Sequence, residues 1–388
     1  MRLTWTTTVP SSLPIVEYGK NGMNQFIRIA NSTNISTAER SRFVHRALLD
    51  ELELATTYIY HVGGVDGWSS AYYFTTPASS EQRLSSGIVF FHDSGMKIGK
   101  HLSYFQNYAQ NSNADMIIYL GGHTDPKEIV EKQIQSEYDR FRATATEIST
   151  DVPFTFVPGV FDHPNNYSYF KDHNAISLGD KQMFHSFDMG MMHFVVINTE
   201  FYYHIHYGWH QIVHQLQWLH ADLQEANQNR KRIPWIVVIG HRGFYCTNKN
   251  SECLGNVLRH GLPVVNVYGL KEVFEKYKVD VAIWGHERSY SRTIPVENYK
   301  NDSQSNETLP SGTDARLIGE THRDDMIVFE SSDPSYVQVY ASNATHLIFD
   351  QIILTFDDPG RVVRVYKWGF FSGLILIFGT KNSFPFNL

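Results

Sequence analysis

Two short motifs carry the side chains best suited to chemistry. Gly240-His241 and Gly285-His286 each follow a mostly apolar run, at 235–239 and 279–284, that is typical of a buried strand. When strands of an α/β sheet end in this way, their last residues meet at the carboxyl edge of the sheet, where ligands bind. The pattern therefore predicts a ligand site built around the imidazoles of His241 and His286.

The secondary-structure elements that must position these side chains show two different sequence patterns. Residues 1 to about 80 contain short alternating runs separated by Gly, Asn and Ser, which is typical of a β-sandwich. From about Gly87 onward, apolar strands alternate with stretches of helical periodicity, which predicts an α/β sandwich. We therefore expect a β-sandwich at 1–80, an α/β domain at 85–350 and a β-rich tail with an atypical apolar end at 351–388.

Several strands of the α/β domain are predicted to end in polar or glycine-rich loops. The predicted strands are 88–91, 116–120, 154–157, 235–240 and 279–285, with two paired strands within 184–200. The predicted helices are 96–109, 127–148, 209–227 and 270–277. Loops that follow such strands are the places to look for further ligands.

Composition narrows the range of partners. The formal net charge of −7 argues against nucleic acid as the main partner, since binding to phosphate backbones needs a basic face. The apolar stretch at 368–379 is shorter than the roughly 20 residues that span a bilayer. We therefore expect no membrane span, and either a buried strand or an atypical tail at this end.

The sequons and cysteines favour a secreted or lumenal glycoprotein. The six Asn-X-Ser/Thr sequons are at Asn31, Asn34, Asn166, Asn301, Asn306 and Asn343. The two cysteines, Cys246 and Cys253, have a spacing that permits either a local disulfide or two free thiols. Residues 1–5 do not have the pattern of a signal peptide, and we expect that the chain lacks its natural beginning.

Motifs along most of residues 1–350 resemble the purple acid phosphatases, which are dinuclear metal phosphoesterases. Besides the two Gly-His motifs, the matching segments are Val16–Gly19, Tyr60–Gly63, His185–Asp188, His193–Glu200, Gln217–Leu219, Tyr245–Asn248, Tyr268–Leu270 and Asn343–Leu347. The resemblance implies a fibronectin-III-like β-sandwich, without its opening strand, followed by a metallophosphoesterase α/β sandwich. It also implies hydrolysis of phosphate monoesters at acid pH by iron paired with zinc, manganese or iron.

The resemblance also implies a set of seven metal ligands, of which this sequence keeps three. Asp93 matches a ligand of the first metal, and His241 and His286 match ligands of the second. The altered positions are Gly122 for the bridging carboxylate, Asp125 for the tyrosinate, Val160 for the amide, Arg288 for the first-metal histidine and Phe161 for the substrate-facing histidine. We therefore expect weak or absent activity, and at most one weakly held metal.

Arg288 suggests what the site could do instead. Its guanidinium keeps its charge and would project toward Asp93, where a bidentate pair would replace the first metal with an organic cation. A pocket of Arg288, His241 and His286 could then bind phosphate or a protein partner without turnover, as a secreted pseudophosphatase. Asp93 taken alone is equally typical of a helix N-cap or a turn.

A rebuilt metal centre is the competing hypothesis. Asp125 could still reach a metal as a shorter carboxylate, and the loops that lost their ligands contain other polar side chains. Together with His241 and His286, one zinc ion could be held by His123, Asp125, Asp162 and His163. The alternatives are that these are polar loop residues without a site, or that the chain is a non-functional gene copy.

Overall fold

The structure is a computed structural model, and it describes part of the chain. The described residues are 1–22, 26, 28–36, 43–78, 87–91, 114–122, 143, 145–174, 183–244, 257–263, 265–286, 291–292, 327–330, 335–343, 346–354 and 362–369. The predicted helix at 96–109 and most of the one at 127–148 lie outside these residues, although 145–149 are helical.

The amino-terminal region is an antiparallel β structure, as its alternating runs predict. Its strands are β1 (Arg2–Thr7), β2 (Ile15–Lys20), β3 (Arg28–Ser36), β4 (Phe43–Leu48), β5 (Thr57–Gly64), β6 (Gly67–Trp68) and β7 (Tyr72–Thr75). They are paired in the order β1-β4-β3-β2-β5-β6, and β7 also pairs with β5. The first part of β3 pairs with β2 and the second part with β4, so this strand passes from one half of the region to the other.

The next region contains two six-stranded sheets. The first has the order β10-β9-β8-β19-β20-β21, from β8 (Gly87–Phe91), β9 (Ala114–Tyr119), β10 (Phe154–Phe156), β19 (Ser335–Asn343), β20 (His346–Leu354) and β21 (Val362–Gly369). The second has the order β11-β12-β13-β16-β18-β17, from β11 (His185–Met189), β12 (Met192–Val196), β13 (Trp235–Gly240), β16 (Val281–Trp284), β17 (Ser291–Arg292) and β18 (Ile327–Glu330). Strands β8, β9 and β10 are parallel to one another, as are β12, β13, β16 and β18.

Helices and short connections cover the second sheet. The helices are α1 (Pro164–Asn174), α2 (His210–Gln228), α3 (Val257–His260) and α4 (Lys271–Lys276). The start of α1 is interrupted by a left-handed turn at residues 165–167. The 3-10 turns are Thr199–Tyr202 and Ile205–Tyr207, and a small hairpin pairs β14 (Gly261–Leu262) with β15 (Val267–Tyr268). Because α2 buries Ile212, Leu216, Leu219 and Leu223 at spacings of three and four, one face of this helix packs on the sheet.

The two sheets pack face to face over a shared apolar core. Ile88, Phe90 and Ile118 of the first sheet lie in one cluster with Phe194 and Ile239 of the second. A separate cluster joins the other face of the second sheet to the helices. The predicted α/β sandwich is thus confirmed. No helix among the described residues is long and apolar enough to cross a membrane.

Candidate functional site

The site lies where strand ends of the two sheets approach each other. Leu120 follows β9 of the first sheet, whereas His241 and His286 follow β13 and β16 of the second. A Cβ atom on Gly285 would lie 2.4 Å from the Cβ of Leu120, so only glycine allows this approach. The backbone N–H of Gly285 donates to the carbonyl of His241 over 2.9 Å.

A directed chain of hydrogen bonds runs through the two histidines. His241 Nδ1 lies 2.7 Å from the carbonyl oxygen of Leu120, which can only accept, so this nitrogen carries the proton. His241 Nε2 therefore accepts from His286 Nδ1 at 3.2 Å. His286 Nε2 in turn faces the Nη1 donor of Arg242 at 3.4 Å. We call this chain, from Arg242 through His286 and His241 to Leu120, the histidine relay.

A buried ion pair anchors the start of the histidine relay. Arg242 Nε lies 2.9 and 3.1 Å from the two carboxylate oxygens of Glu200, whose side chain is fully buried. The guanidinium carbon lies 4.1 Å from the centre of the Tyr203 ring, a cation–π contact. Thr199 Oγ1 accepts the backbone N–H of Arg242 at 2.9 Å. These contacts fix the guanidinium beside His286.

The turn that carries Glu200 is itself held by the long helix. Asn198 caps the 3-10 turn through its side-chain oxygen, which accepts the backbone N–H of Glu200 at 2.9 Å. Gln215 of α2 accepts from the Asn198 backbone N–H at 2.7 Å and donates to its carbonyl at 3.1 Å. The carboxylate of Glu200 is thus positioned by a helix and not by a free loop.

The loop after β10 contributes two titratable groups near Glu200. Asp162 is buried and accepts the backbone N–H of Gly159 at 2.7 Å, which closes the loop. Burial raises the pKa of Asp162 to about 8, against the opposing hydrogen bond from Gly159 and with help from the charge of Glu200. His163 stacks on His204 with ring centres 3.8 Å apart. Burial, followed by the charge of His204, lowers the pKa of His163 to about 4.

Comparison with known sequences identifies the family of this chain. Residues 1–76 match the family described as "Purple acid Phosphatase, N-terminal domain", and residues 93–290 match "Calcineurin-like phosphoesterase". "Acid phosphatase type 7" of Danio rerio is 30% identical over 390 residues, which cover 94% of this chain and 86% of that protein. The chain belongs to the purple acid phosphatase family. Its members are metallophosphoesterases, which act on phosphate esters with a metal cofactor.

Other purple acid phosphatases match over much of the chain. "Acid phosphatase type 7" of Homo sapiens is 28% identical over 385 residues, covering 94% of this chain and 86% of that protein. "Probable inactive purple acid phosphatase 27" of Arabidopsis thaliana is 25% identical over 357 residues, covering 79% of this chain and 55% of that protein. The family resemblance seen in the motifs is therefore confirmed.

The structure brings together His241 and His286, the two histidines for which the family resemblance predicts a role at the second metal. Of the other predicted ligand positions, the two that the structure describes offer no side-chain ligand, because Gly122 has no side chain and Val160 is apolar. Gly122 also has a φ of +82°, a left-handed conformation that favours glycine. Phe161 is half-buried in the loop after β10.

The other predicted ligands that the structure describes do not gather around the histidine pair. Among the described residues, no group of three His, Cys, Asp or Glu side chains is arranged to hold a metal, so Asp162 and His163 do not join the histidine pair there. The predicted residues outside the described part of the chain are Asp93, His123, Asp125, Cys246, Cys253, Arg288, Asn301 and Asn306. Of the remaining sequons, Asn31 and Asn34 lie in β3, Asn343 ends β19, and Asn166 lies in α1.

The histidine pair meets two requirements of a metal site and fails a third. Two nitrogens bound to one tetrahedral zinc ion are about 3.3 Å apart, close to the 3.2 Å between His241 Nε2 and His286 Nδ1. The bond from His241 Nδ1 to Leu120 is also the usual support of a metal-bound histidine. Yet a metal on His286 Nδ1 would leave a proton on Nε2, facing the donor of Arg242. The described residues therefore do not fit a dinuclear centre.

Sequence reasoning missed the parts of the site that hold the histidines. Glu200 ends one of the matching segments and Arg242 directly follows Gly240-His241, but no role was predicted for either residue. A signal was available, since Glu200 follows the apolar run at 194–197 and a carboxylate at the end of a buried strand needs a cation. The sequence could not show that the cation is Arg242, which is 42 residues away.

Proposed function

We propose that this chain binds phosphate or phosphate esters at the carboxyl edge of its sheets without turning them over. The observation that carries the proposal is the chemistry at the described ligand positions. Gly122 and Val160 supply no ligand, while His241 and His286 bond to each other in the histidine relay. A dinuclear centre needs a bridging group to hold its two cations together, and Gly122 cannot provide one.

Positive charge at the site would come from arginine. The Arg242 guanidinium beside His286 is already paired with Glu200, so it orients the histidines more than it attracts an anion. Arg288, two residues after His286 in the sequence, would supply the free charge for a phosphate group. In this proposal Asp93 is the partner of Arg288, and the site is that of a pseudophosphatase whose ligand is phosphate, a phosphomonoester or a phosphorylated protein.

Relatives and composition support the same proposal. Several similar plant proteins carry the name "Probable inactive purple acid phosphatase", so this family includes proteins named as inactive. The six sequons support secretion or a lumenal location, where the chain would carry glycans.

A single weakly held metal is the second candidate, favoured by the spacing of the histidine nitrogens. His241 and His286 would supply two ligands, and Asp125 or His123 would have to supply others. Iron, zinc and manganese all suit imidazole and carboxylate ligands. In this candidate the chain is an impaired acid phosphatase and not a binding protein.

One experiment separates the two candidates. Phosphate affinity is measured by calorimetry with and without a chelator, for the wild type and for Arg288→Ala, and p-nitrophenyl phosphate turnover is measured with added zinc, iron or manganese. We expect affinity that survives the chelator and is lost in Arg288→Ala, with no turnover. Metal-dependent turnover abolished by His241→Ala would instead establish the impaired enzyme and refute the proposal.

A further inference from the structure

A second pair of histidines lies on the surface of α2, outside the site described above. His210 and His214 are four residues apart on the first two turns of this helix, so their side chains project from the same face. Both side chains are exposed, and their ring centres are 5.9 Å apart. We propose that His210 and His214 form a surface binding site for a divalent transition-metal ion such as Ni²⁺, Cu²⁺ or Zn²⁺.

The spacing of the pair suits chelation by two imidazoles. Two histidines at positions i and i+4 of a helix are a recurrent way to present two nitrogens to one zinc ion. The 5.9 Å between the ring centres compares with 5.1 Å for His241 and His286, whose nearest nitrogens are 3.2 Å apart. A rotation of the exposed His214 ring about its side-chain bonds can close this small difference.

The nitrogens of this pair are available, unlike those of the histidine relay. Within the described part of the chain, neither His210 nor His214 makes a side-chain hydrogen bond or an ion pair. The two rings pack edge to face on each other. A metal ion would therefore compete with water alone for these lone pairs, without a partner to displace.

The start of α2 also fixes one of the two rings. Gly208 has a φ of +112°, and a Cβ atom there would lie 2.1 Å from the Cε1 atom of His210. The imidazole of His210 therefore lies over the bare backbone of Gly208, which limits its freedom before any ion binds. Lower freedom in the unbound ligand reduces the entropy that binding must remove.

Two features set the selectivity and strength of this site. Two protein ligands leave coordination positions for water, so binding should be weaker than in sites with three or four ligands. The positive end of the helix at His210 also opposes a cation. Only ions with a strong preference for imidazole should bind despite these effects. We expect the highest affinity for Cu²⁺, lower affinity for Ni²⁺ and Zn²⁺, and no binding of Mg²⁺.

The test uses calorimetric titration of the chelator-treated full chain with Ni²⁺. The variants are His214→Ala, His210→Ala, and His206→Ala as a matched control, because His206 is an exposed histidine of the preceding 3-10 turn outside the pair. We expect one site in the wild type that becomes about tenfold weaker or more in either pair variant, because a single imidazole cannot chelate. His206→Ala should bind Ni²⁺ like the wild type, and Mg²⁺ should give no binding.

His241→Ala distinguishes this site from the one at the sheet edge. Binding of Ni²⁺ that persists in His241→Ala and disappears in His214→Ala supports the surface pair, whatever the fate of phosphate binding. Three outcomes would overturn the proposal: no Ni²⁺ binding by the wild type, equal binding by His214→Ala and the wild type, or loss of all binding in His241→Ala. With Cu²⁺, electron paramagnetic resonance should show two coordinated nitrogens in the wild type and one in His210→Ala.

Discussion

Two of the pairs of neighbouring imidazoles in the described structure are in opposite situations. His241 and His286 have nitrogens at metal-binding distance, but a carbonyl, an arginine and each other already occupy them. His210 and His214 are exposed, their ring centres are slightly farther apart, and in the described structure no hydrogen bond or ion pair occupies their nitrogens. The comparison teaches that spacing alone does not identify a metal site, because the state of the remaining lone pairs and protons decides whether an ion can enter.

The largest expected effect concerns the anchor of the buried pair. Glu200→Gln removes the charge that compensates Arg242, whose side chain is only 7% exposed. An uncompensated buried charge costs about 3 to 5 kcal/mol, so urea denaturation should show a loss of stability of this size. Glu225→Gln, on the exposed face of α2, is the control and should change stability by less than about 0.5 kcal/mol. Equal stability of both variants would contradict the buried ion pair.

Another histidine, His193, is held between two aspartates. His193 lies 2.6 Å from Asp188 and 3.0 Å from Asp222. Burial alone would lower the pKa of His193, but the hydrogen bonds and charges of the two aspartates raise it to about 9. Because the folded pKa exceeds the unfolded value, this contribution of up to about 3 kcal/mol is complete below about pH 6.5 and is lost as pH rises through 9.

His193→Gln tests this pH dependence. Denaturation midpoints of the wild type should fall between pH 7 and pH 10 more steeply than those of the variant, whose amide does not titrate. Parallel curves would show that the two aspartates do not hold a charged imidazole. His220→Gln is a suitable control, since burial lowers the pKa of His220 and its ring bonds to Tyr277 without an acidic partner.

A direct comparison of the two pairs follows from alanine substitutions. His241→Ala leaves the carbonyl of Leu120 buried without its side-chain donor, at a cost of about 1 to 3 kcal/mol. His214→Ala removes an exposed ring and should change stability by less than about 0.5 kcal/mol. Thermal denaturation of the two variants in parallel measures the difference. Similar melting temperatures would mean that the histidine relay contributes nothing to stability.

Among the substitutions at the sheet edge, the smallest expected effect on stability is that of Gly122→Asp, which also tests whether the site can bind a metal. Gly122→Asp restores a carboxylate at the bridging position, but at a φ of +82° an L side chain costs about 1 to 2 kcal/mol. Because Val160 and Arg288 remain, we expect reduced stability and no gain in metal content by elemental analysis. Gly22→Asp, at a φ of +88° in open space, carries a comparable backbone cost away from the site and serves as the control. A gain of bound metal in Gly122→Asp alone would show that one carboxylate suffices.

Much of the frame was predictable from local patterns. The apolar runs ending in Gly-His predicted β13 and β16 and placed His241 and His286 at one edge, because parallel strands end together. The long helix at 209–227 was predicted nearly to the residue, since its apolar positions recur with helical spacing. These features depend on residues that are close in the sequence, so a single sequence is enough to predict them.

The rest depended on contacts between distant residues. The ion pair of Glu200 and Arg242 joins residues 42 positions apart, and neither sequence segment predicts its partner. The left-handed turn at 165–167 was equally hidden, because asparagine tolerates that conformation but does not require it, and Tyr167 rarely adopts it. The short hairpin of β14 and β15 has only two residues in each strand, too few for a periodic pattern.

The hydrogen bond from His241 to Leu120 connects two sheets as well as two residues. The backbone N–H of Leu120 donates to Phe91 of the neighbouring strand, and that of Gly285 donates to His241 itself. A ligand that draws the imidazole away from Leu120 should therefore weaken the contact between the two sheets. A ligand that holds the imidazole in place should strengthen that contact. Hydrogen–deuterium exchange at the amides of Leu120 and Gly285 would thus report occupancy of the site even when no reaction takes place.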